Sequence, residues 1–208
     1  MRLQGREVSP TRASQLALRD EQKLIREGYE FLDEKRMLLA QELLHQLSLL
    51  RALNERRQDA HRKAGDSLIA ASMHHGLEEL SIYPPPFDAA FTVQTAQRNF
   101  LGLTLVDATL DLTSSSNDSA PQAAFPSREA PLCADAFRIL LSIDVERAAI
   151  SANLHRLIRE YVATERRARA LENVLLPEID VAVKQIGENL EAAEQEEALL
   201  VRHAKVAT

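Results

Sequence analysis

Thr11 to Leu80, TRASQLALRDEQKLIREGYEFLDEKRMLLAQELLHQLSLLRALNERRQDAHRKAGDSLIAASMHHGLEEL, contains no proline, and its apolar residues recur at three- and four-residue steps. Leu18, Ile25, Tyr29, Leu32, Leu39, Leu43, Leu47, Leu50, Leu53, Ala60, Ala64 and Leu68 mark one stripe, the pattern of a coiled-coil seam. Ser9 is placed to cap the free backbone N–H groups, and Pro10 suits the first helical position because its missing donor has no partner there. Gly28, Gly65 and Gly76 are isolated, each costing roughly 1 kcal/mol against alanine without a break. A helix of about 70 residues is roughly 105 Å long, more than a compact domain of this size holds. Pro84-Pro85-Pro86 ends it.

Beyond the prolines the character changes. Phe91-Thr-Val-Gln-Thr and Leu101 to Leu112 alternate and carry β-branched residues, which predicts two short strands with Gln97, Arg98 and Asn99 in or near the turn. Thr113 to Pro131 is rich in Ser, Ala and Pro and reads as a mobile loop. A second helix is expected from near Cys133 to about Ala204. Leu140, Ile143, Ile150, Leu154, Leu157, Tyr161, Leu171, Leu175, Val183, Ile186, Leu190 and Leu200 form its apolar side. Pro177 predicts a kink, because the carbonyl of residue 173 loses its donor. The expected organisation is a flexible N-terminus (1–8), a long helix (9–82), a β-hairpin head with a mobile loop (83–132) and a second long helix with a tail (133–208). Two matched helices joined by a small module should fold back as a mainly α, antiparallel two-helix coiled coil with the hairpin in the middle of the chain. If their free ends are level, Arg36 falls opposite Pro177 to Ile179.

Composition narrows the function classes. The chain has 208 residues, 45% hydrophobic but only 4% aromatic, with no Trp and a formal net charge of −6. A nucleic-acid surface is usually basic on at least one face, whereas here Lys and Arg are interleaved with acids as on a solvated helix. Cys133 is the only cysteine, which excludes an intrachain disulfide and a cysteine-based zinc site and fits the cytoplasm. No stretch approaches the 18 or so apolar residues that span a bilayer, and Met1 to Pro10 lacks the apolar core of a signal peptide.

No constellation points to chemistry, so catalytic residues, cofactors and metals are all expected to be absent. His74 and His75 are adjacent, so on a helix they point about 100° apart and do not converge on a metal. Glu188, Glu191, Glu194, Glu196 and Glu197 read as a solvated face rather than a catalytic pair. There is no G-x-x-x-x-G-K-[ST] loop to cradle ATP. Arg166, Arg167 and Arg169 have two equal readings: contact with acids on a surrounding partner, or local pairing such as Glu165 with Arg169 at i,i+4.

Two motifs carry a family resemblance. Pro10-Thr-Arg and then Glu27-Gly-Tyr-Glu-Phe-Leu-Asp-Glu-Lys-Arg-Met-Leu-Leu39 form one. Thr164-Glu-Arg-Arg-Ala-Arg-Ala-Leu-Glu-Asn-Val-Leu-Leu-Pro-Glu-Ile179 is the other, and Asn99-Phe-Leu-Gly-Leu103 adds a weaker match. In this order and over nearly the whole chain they resemble the D subunit of V-type (A/V-type) rotary ATPases, the central rotor shaft. Asp33 stands where a Lys is usual, Met37 where an Asp is frequent, and Ala168-Arg169 where Val-Asn is common; such departures suggest a divergent bacterial branch.

The resemblance implies a non-catalytic shaft that turns inside a ring of A- and B-type nucleotide-binding subunits and couples ATP synthesis or hydrolysis to proton or sodium translocation. It implies an F-type small stalk subunit at the hairpin head and a funnel-shaped subunit above the membrane rotor ring. Lys35, Arg36, Arg166, Arg167, Arg169, Glu172, Asn99 and Gly102 are the expected partner-binding residues. The expected location is the cytoplasmic side of the inner (plasma) membrane, peripheral to it through the complex. A coiled-coil adaptor or export-apparatus stalk would share the helices but not the motifs or the hairpin between them.

Overall fold

The computed structural model describes residues 2–3, 6–7, 11–82, 92–111 and 127–206. Within the segment expected to be a flexible N-terminus, β1 (Arg2–Leu3) pairs antiparallel with β2 (Arg6–Glu7). The long helix α1 (Arg12–Ile82) follows, then a hairpin of β3 (Thr92–Phe100) and β4 (Leu103–Asp111), then α2 (Glu129–Ala170), a π-helical turn (Leu171–Leu175) and α3 (Leu176–Val206). The mainly α class with a central antiparallel hairpin is as expected. Ser9, Pro10, the proline run at 84–86, Phe91 and most of the 113–131 loop lie outside the described residues.

Helix ends follow local chemistry. Thr11 caps α1: its Oγ1 accepts from the Ser14 amide at 3.1 Å and its carbonyl accepts from the Gln15 amide at 3.0 Å. The second helix begins at Glu129, earlier than Cys133, because Ser127 Oγ accepts from the Ala130 amide at 3.3 Å and Pro131 falls in the first turn, where no N–H is needed. Gly76 does break α1, contrary to expectation: at φ 75 and ψ 156 it occupies a region essentially restricted to glycine. Pro177 produces a wide turn rather than a bare kink. The Leu176 amide bonds five residues back to the Leu171 carbonyl, and the proline follows directly.

The hairpin turn also differs. Leu101 (φ 50) and Gly102 (φ 85) form the two-residue loop, so Gln97, Arg98 and Asn99 belong to β3. Two consecutive positive φ values match the right-handed twist of paired strands, and glycine at the second position makes the turn inexpensive. The register Phe100↔Leu103 then fixes every pair out to Thr92↔Asp111.

The chain divides into two units: residues 1–39 with 160–208, and residues 40–159. Each holds an antiparallel stretch of helix against helix. In the first, Leu18 packs with Ala182 and Ile186, flanked by Val183 and Leu190. In the second, Leu53 and Ala60 pack with Ile143 and Ile150, flanked by Leu50, Leu140 and Leu154. Buried positions recur every seven residues, at Leu39, Gln46, Leu53 and Ala60 on α1 and at Ile143, Ile150, Leu157 and Thr164 on α2. That period is the signature of a coiled-coil seam.

Two glycines separate helix propensity from backbone strain. Gly65→Ala, in a regular helix with nothing within 4 Å of the added Cβ, should raise stability by about 0.5–1 kcal/mol. Gly76→Ala, equally uncrowded but at positive φ, should lower it by about 1 kcal/mol or more. Urea titrations of the two variants should therefore move the midpoint in opposite directions.

Candidate interaction surfaces

The first unit brings the two sequence motifs face to face, though not in the register that level ends would give. Arg36 meets Glu165 at 2.8 Å rather than Pro177 to Ile179, and Lys35 meets Glu160 at 2.6 Å. Gln22 bonds Asp180, and Arg12 reaches Glu194 at 2.5 Å, so α3 continues past the start of α1 and its residues 195–203 are all exposed. Asp33, in the place of a usual Lys, pairs with Arg36 from the preceding turn. Arg36 thus sits between two carboxylates.

Electrostatics in this band are mutual. Hydrogen bonding to Glu165 is the largest effect raising the Arg36 pKa, with Asp33 and Glu165 charges adding to it against burial. In return Arg36 holds the Glu165 carboxyl below its ordinary value, burial opposes this, and Arg169, bonded to Glu165 at 2.7 Å, reinforces it. Burial raises the phenol of Tyr29, and the Glu172 and Asp33 charges push it further in the same direction. Gly28 stands about two turns before Arg36 on α1, where an added Cβ would lie 3.9 Å from Leu171.

The expected partner residues accordingly sort into two kinds. Lys35 and Arg36 are half-buried and engaged across the helix pair, and Arg169 has the local partner that i,i+4 spacing suggested. Arg166 and Arg167 are exposed on α2, while Glu172, exposed on the π turn, also lies within reach of Tyr29 on α1. In the second unit Asn99 is exposed on β3 opposite Thr104, and Gly102 lies in the turn instead of a strand.

Sequence reading missed the residue that docks the hairpin. With Phe100↔Leu103 closing a two-residue loop, Val106 turns its N–H and C=O away from β3. Asn153, fully buried on α2, takes both: its Oδ1 accepts from the Val106 amide and its Nδ2 donates to the Val106 carbonyl, each at 2.9 Å. The side-chain amide acts as a one-residue strand partner. Arg156 adds a bond to the Thr104 carbonyl at 3.3 Å, and Arg98 on β3 pairs with Glu42 on α1. Apart from Leu105 and its half-buried neighbours the hairpin is open, and Thr92 to Asn99 are exposed on both faces.

The family model for the ATP synthase D subunit matches residues 14–206, which includes most of the first motif, all of the second and the hairpin between them. The chain belongs to the ATP synthase D-subunit family. It is 25% identical over 206 residues to the V-type ATP synthase D subunit of Thermotoga neapolitana, covering 95% of this chain and 97% of that protein. It is 27% identical over 207 residues to the A-type ATP synthase D subunit of Thermococcus kodakarensis, covering 95% and 93%. Against the A-type D subunit of Methanopyrus kandleri it is 25% identical over 201 residues, 96% and 86% of the two chains. Both ends of the Lys35–Glu160 and Arg36–Glu165 ion pairs fall inside the family match.

Two outcomes are expected. Asn153→Ala leaves the Val106 N–H and C=O without their partner and should cost about 2 kcal/mol or more, with faster amide exchange over 103–111 seen by mass spectrometry. Because the folded pKa of Glu165 is lowered, its contribution to stability is complete above the ordinary carboxyl value of 4.5 and is lost as pH falls through the folded value. Acid unfolding followed by circular dichroism should therefore be steeper in the natural protein than in Glu165→Gln.

Proposed function

We propose that this chain is the central rotor shaft of a V-type ATP synthase/ATPase, coupling ATP synthesis or hydrolysis in a ring of A- and B-type subunits to proton or sodium translocation. Family membership is the observation that carries the reading. The helix pair supports it physically: two strands with a common seam resist bending and twisting better than one, and their outward side mixes charged residues with exposed apolar ones such as Leu24, Phe31 and Leu44, which a surrounding sleeve would cover. On this reading Arg166, Arg167 and Glu172 face the ring, while Lys35, Arg36 and Arg169 keep the motif band rigid beneath them. The shaft itself performs no chemistry.

The open hairpin, with Asn99 and Gly102 at its tip end, supports the F-type small stalk subunit as its partner, since strand edges and exposed faces are surfaces that a neighbour covers. A funnel-shaped subunit then links the shaft to the membrane rotor ring. No helix among the described residues is long and apolar enough to cross a membrane, which agrees with peripheral attachment to the inner (plasma) membrane through the complex.

A reversible crosslink tests the shaft. In a Cys133→Ser background, a single cysteine at Arg167 is oxidised onto a cysteine of the facing ring subunit in the assembled complex. Multi-turnover ATP hydrolysis should fall to near background and return on reduction, because hydrolysis at successive sites requires the shaft to move. A disulfide between α1 and α2 within this chain should leave turnover largely intact. High-yield crosslinking to the ring with hydrolysis at the original rate rules the shaft reading out.

A further inference from the structure

Within the unit of residues 40–159 the hairpin is a sheet of two strands, and its two outer edges differ. The edge of β4 lies against α2, where Asn153 takes the N–H and C=O of Val106 and Arg156 takes the C=O of Thr104. The edge of β3 has no such cover. By the same register Val93, Thr95, Gln97 and Asn99 turn their backbone groups away from β4, so that each presents one N–H and one C=O outward. Among the described residues none of these groups has a hydrogen-bond partner, and Thr92 to Asn99 are exposed on both faces.

Natural sheets blunt a free edge with lysines, a proline, a bulge or a very short strand. β3 (TVQTAQRNF) uses none of these: it has no lysine, proline or glycine, its pairing with β4 runs from Thr92 to Phe100 without a bulge, and its one charge, Arg98, is held by Glu42 of α1. A two-stranded ribbon is marginal in water unless a third strand or a helix covers it. Helix packing reaches the hairpin through Leu105 on β4, whereas on β3 only Phe100 is even half-buried. The exposed groups also specify what can cover them. Donors and acceptors recur along one line every second residue, roughly 6.6 Å apart, a spacing that an extended backbone matches. A helix cannot match it, because its backbone groups are already paired. Val93, Thr95, Gln97 and Asn99 are uncharged, so the incoming strand needs no charged residue opposite them.

We propose that the small stalk subunit adds a strand to the free edge of β3, extending the hairpin to three strands through the backbone groups of Val93, Thr95, Gln97 and Asn99. The inference rests on the stalk reading, which assigns that subunit to the hairpin, and adds the mode of attachment. Backbone groups carry the contact, so affinity should depend on the outward N–H groups more than on side chains and should change little with salt.

Titration calorimetry of the full chain with the purified small stalk subunit, together with residue-resolved amide exchange, tests strand addition. Thr95→Pro and Gln97→Pro each remove one outward N–H, and an edge strand tolerates them because the bonds to β4 come from the alternate residues. Each should raise Kd about tenfold or more, while Thr95→Ala and Gln97→Ala, which keep the N–H, should change it by less than about threefold. In the complex of the natural chain, exchange should slow at the amides of Val93, Thr95, Gln97 and Asn99. Unchanged affinity in both proline variants, or alanine variants that lose as much as the proline ones, overturns strand addition and leaves the shaft reading standing. If a proline variant loses the hairpin, seen as fast exchange at residues 94, 96 and 98 in the free chain, the natural complex decides alone: no new protection at the four outward amides overturns the proposal. Failure of the natural chain to bind the small stalk subunit at all overturns the assignment of that partner together with the inference. Dimerisation of the free chain that the proline variants abolish assigns the edge to a second copy and also overturns it.

Discussion

A helix with a narrow apolar stripe can shield most of its length only against another helix of the same kind, with the hairpin covering a short part of it through Leu105. The apolar positions of the seven-residue series of α1 and α2 reflect that constraint: Leu39, Leu53, Ile143, Ile150 and Leu157 are all buried. Burial at roughly 25 cal/mol per Å² of apolar surface is spread along the seam instead of concentrated. Removing one seam residue should loosen its own neighbourhood more than the remainder, as expected where contacts are mainly between adjacent turns.

Apolar packing alone tolerates sliding by a heptad, so polar groups have to select the register. Lys35 with Glu160, Arg36 with Glu165 and Arg57 with Asp144 join opposite helices at fixed positions, and Gln46, Asn153 and Thr164 occupy fully or nearly fully buried places. Isolated surface pairs contribute little stability, typically about 0–1 kcal/mol. Their effect here is discrimination: a shifted register strands half-buried charges opposite apolar residues, which costs more than the aligned pair gains.

Much of the architecture was legible in the sequence because it depends on periodicity and proline placement, both local properties. The apolar spacing located both helices, β-branched alternation located the hairpin, and the Glu165 to Arg169 pairing followed from i,i+4 geometry. What was not legible depends on side-chain partners and on backbone conformations that periodicity does not encode. Gln46 is buried one residue from Leu47, which the apolar pattern favoured, with Glu42 accepting from its Nε2. Asn153 looked like any polar position on a helix until the hairpin was laid beside it. Gly76 could not be told from Gly65 by spacing, since the difference is a backbone conformation and not a contact. Residue 36 was assigned the wrong opposite neighbour because level free ends were assumed, whereas α3 extends beyond Arg12.

The wide turn at Leu171–Leu175 bears on how the two strands of the pair are held against slip. On α1 the inward positions from Leu39 to Ala60 repeat strictly by sevens, while on the other strand Ala168 and Ile179 face inward eleven residues apart, so the turn before Pro177 has absorbed an additional residue. Over this stretch α1 keeps its seven-residue period while the other strand carries the wide turn near Gly28, where an added Cβ would stand in ordinary contact with Leu171 at 3.9 Å. Moving α1 along by a heptad would set Lys35 against Leu171 in place of Gly28. An axial load on either strand therefore has to carry a long charged side chain past Leu171 as well as overcome the packing of the seam.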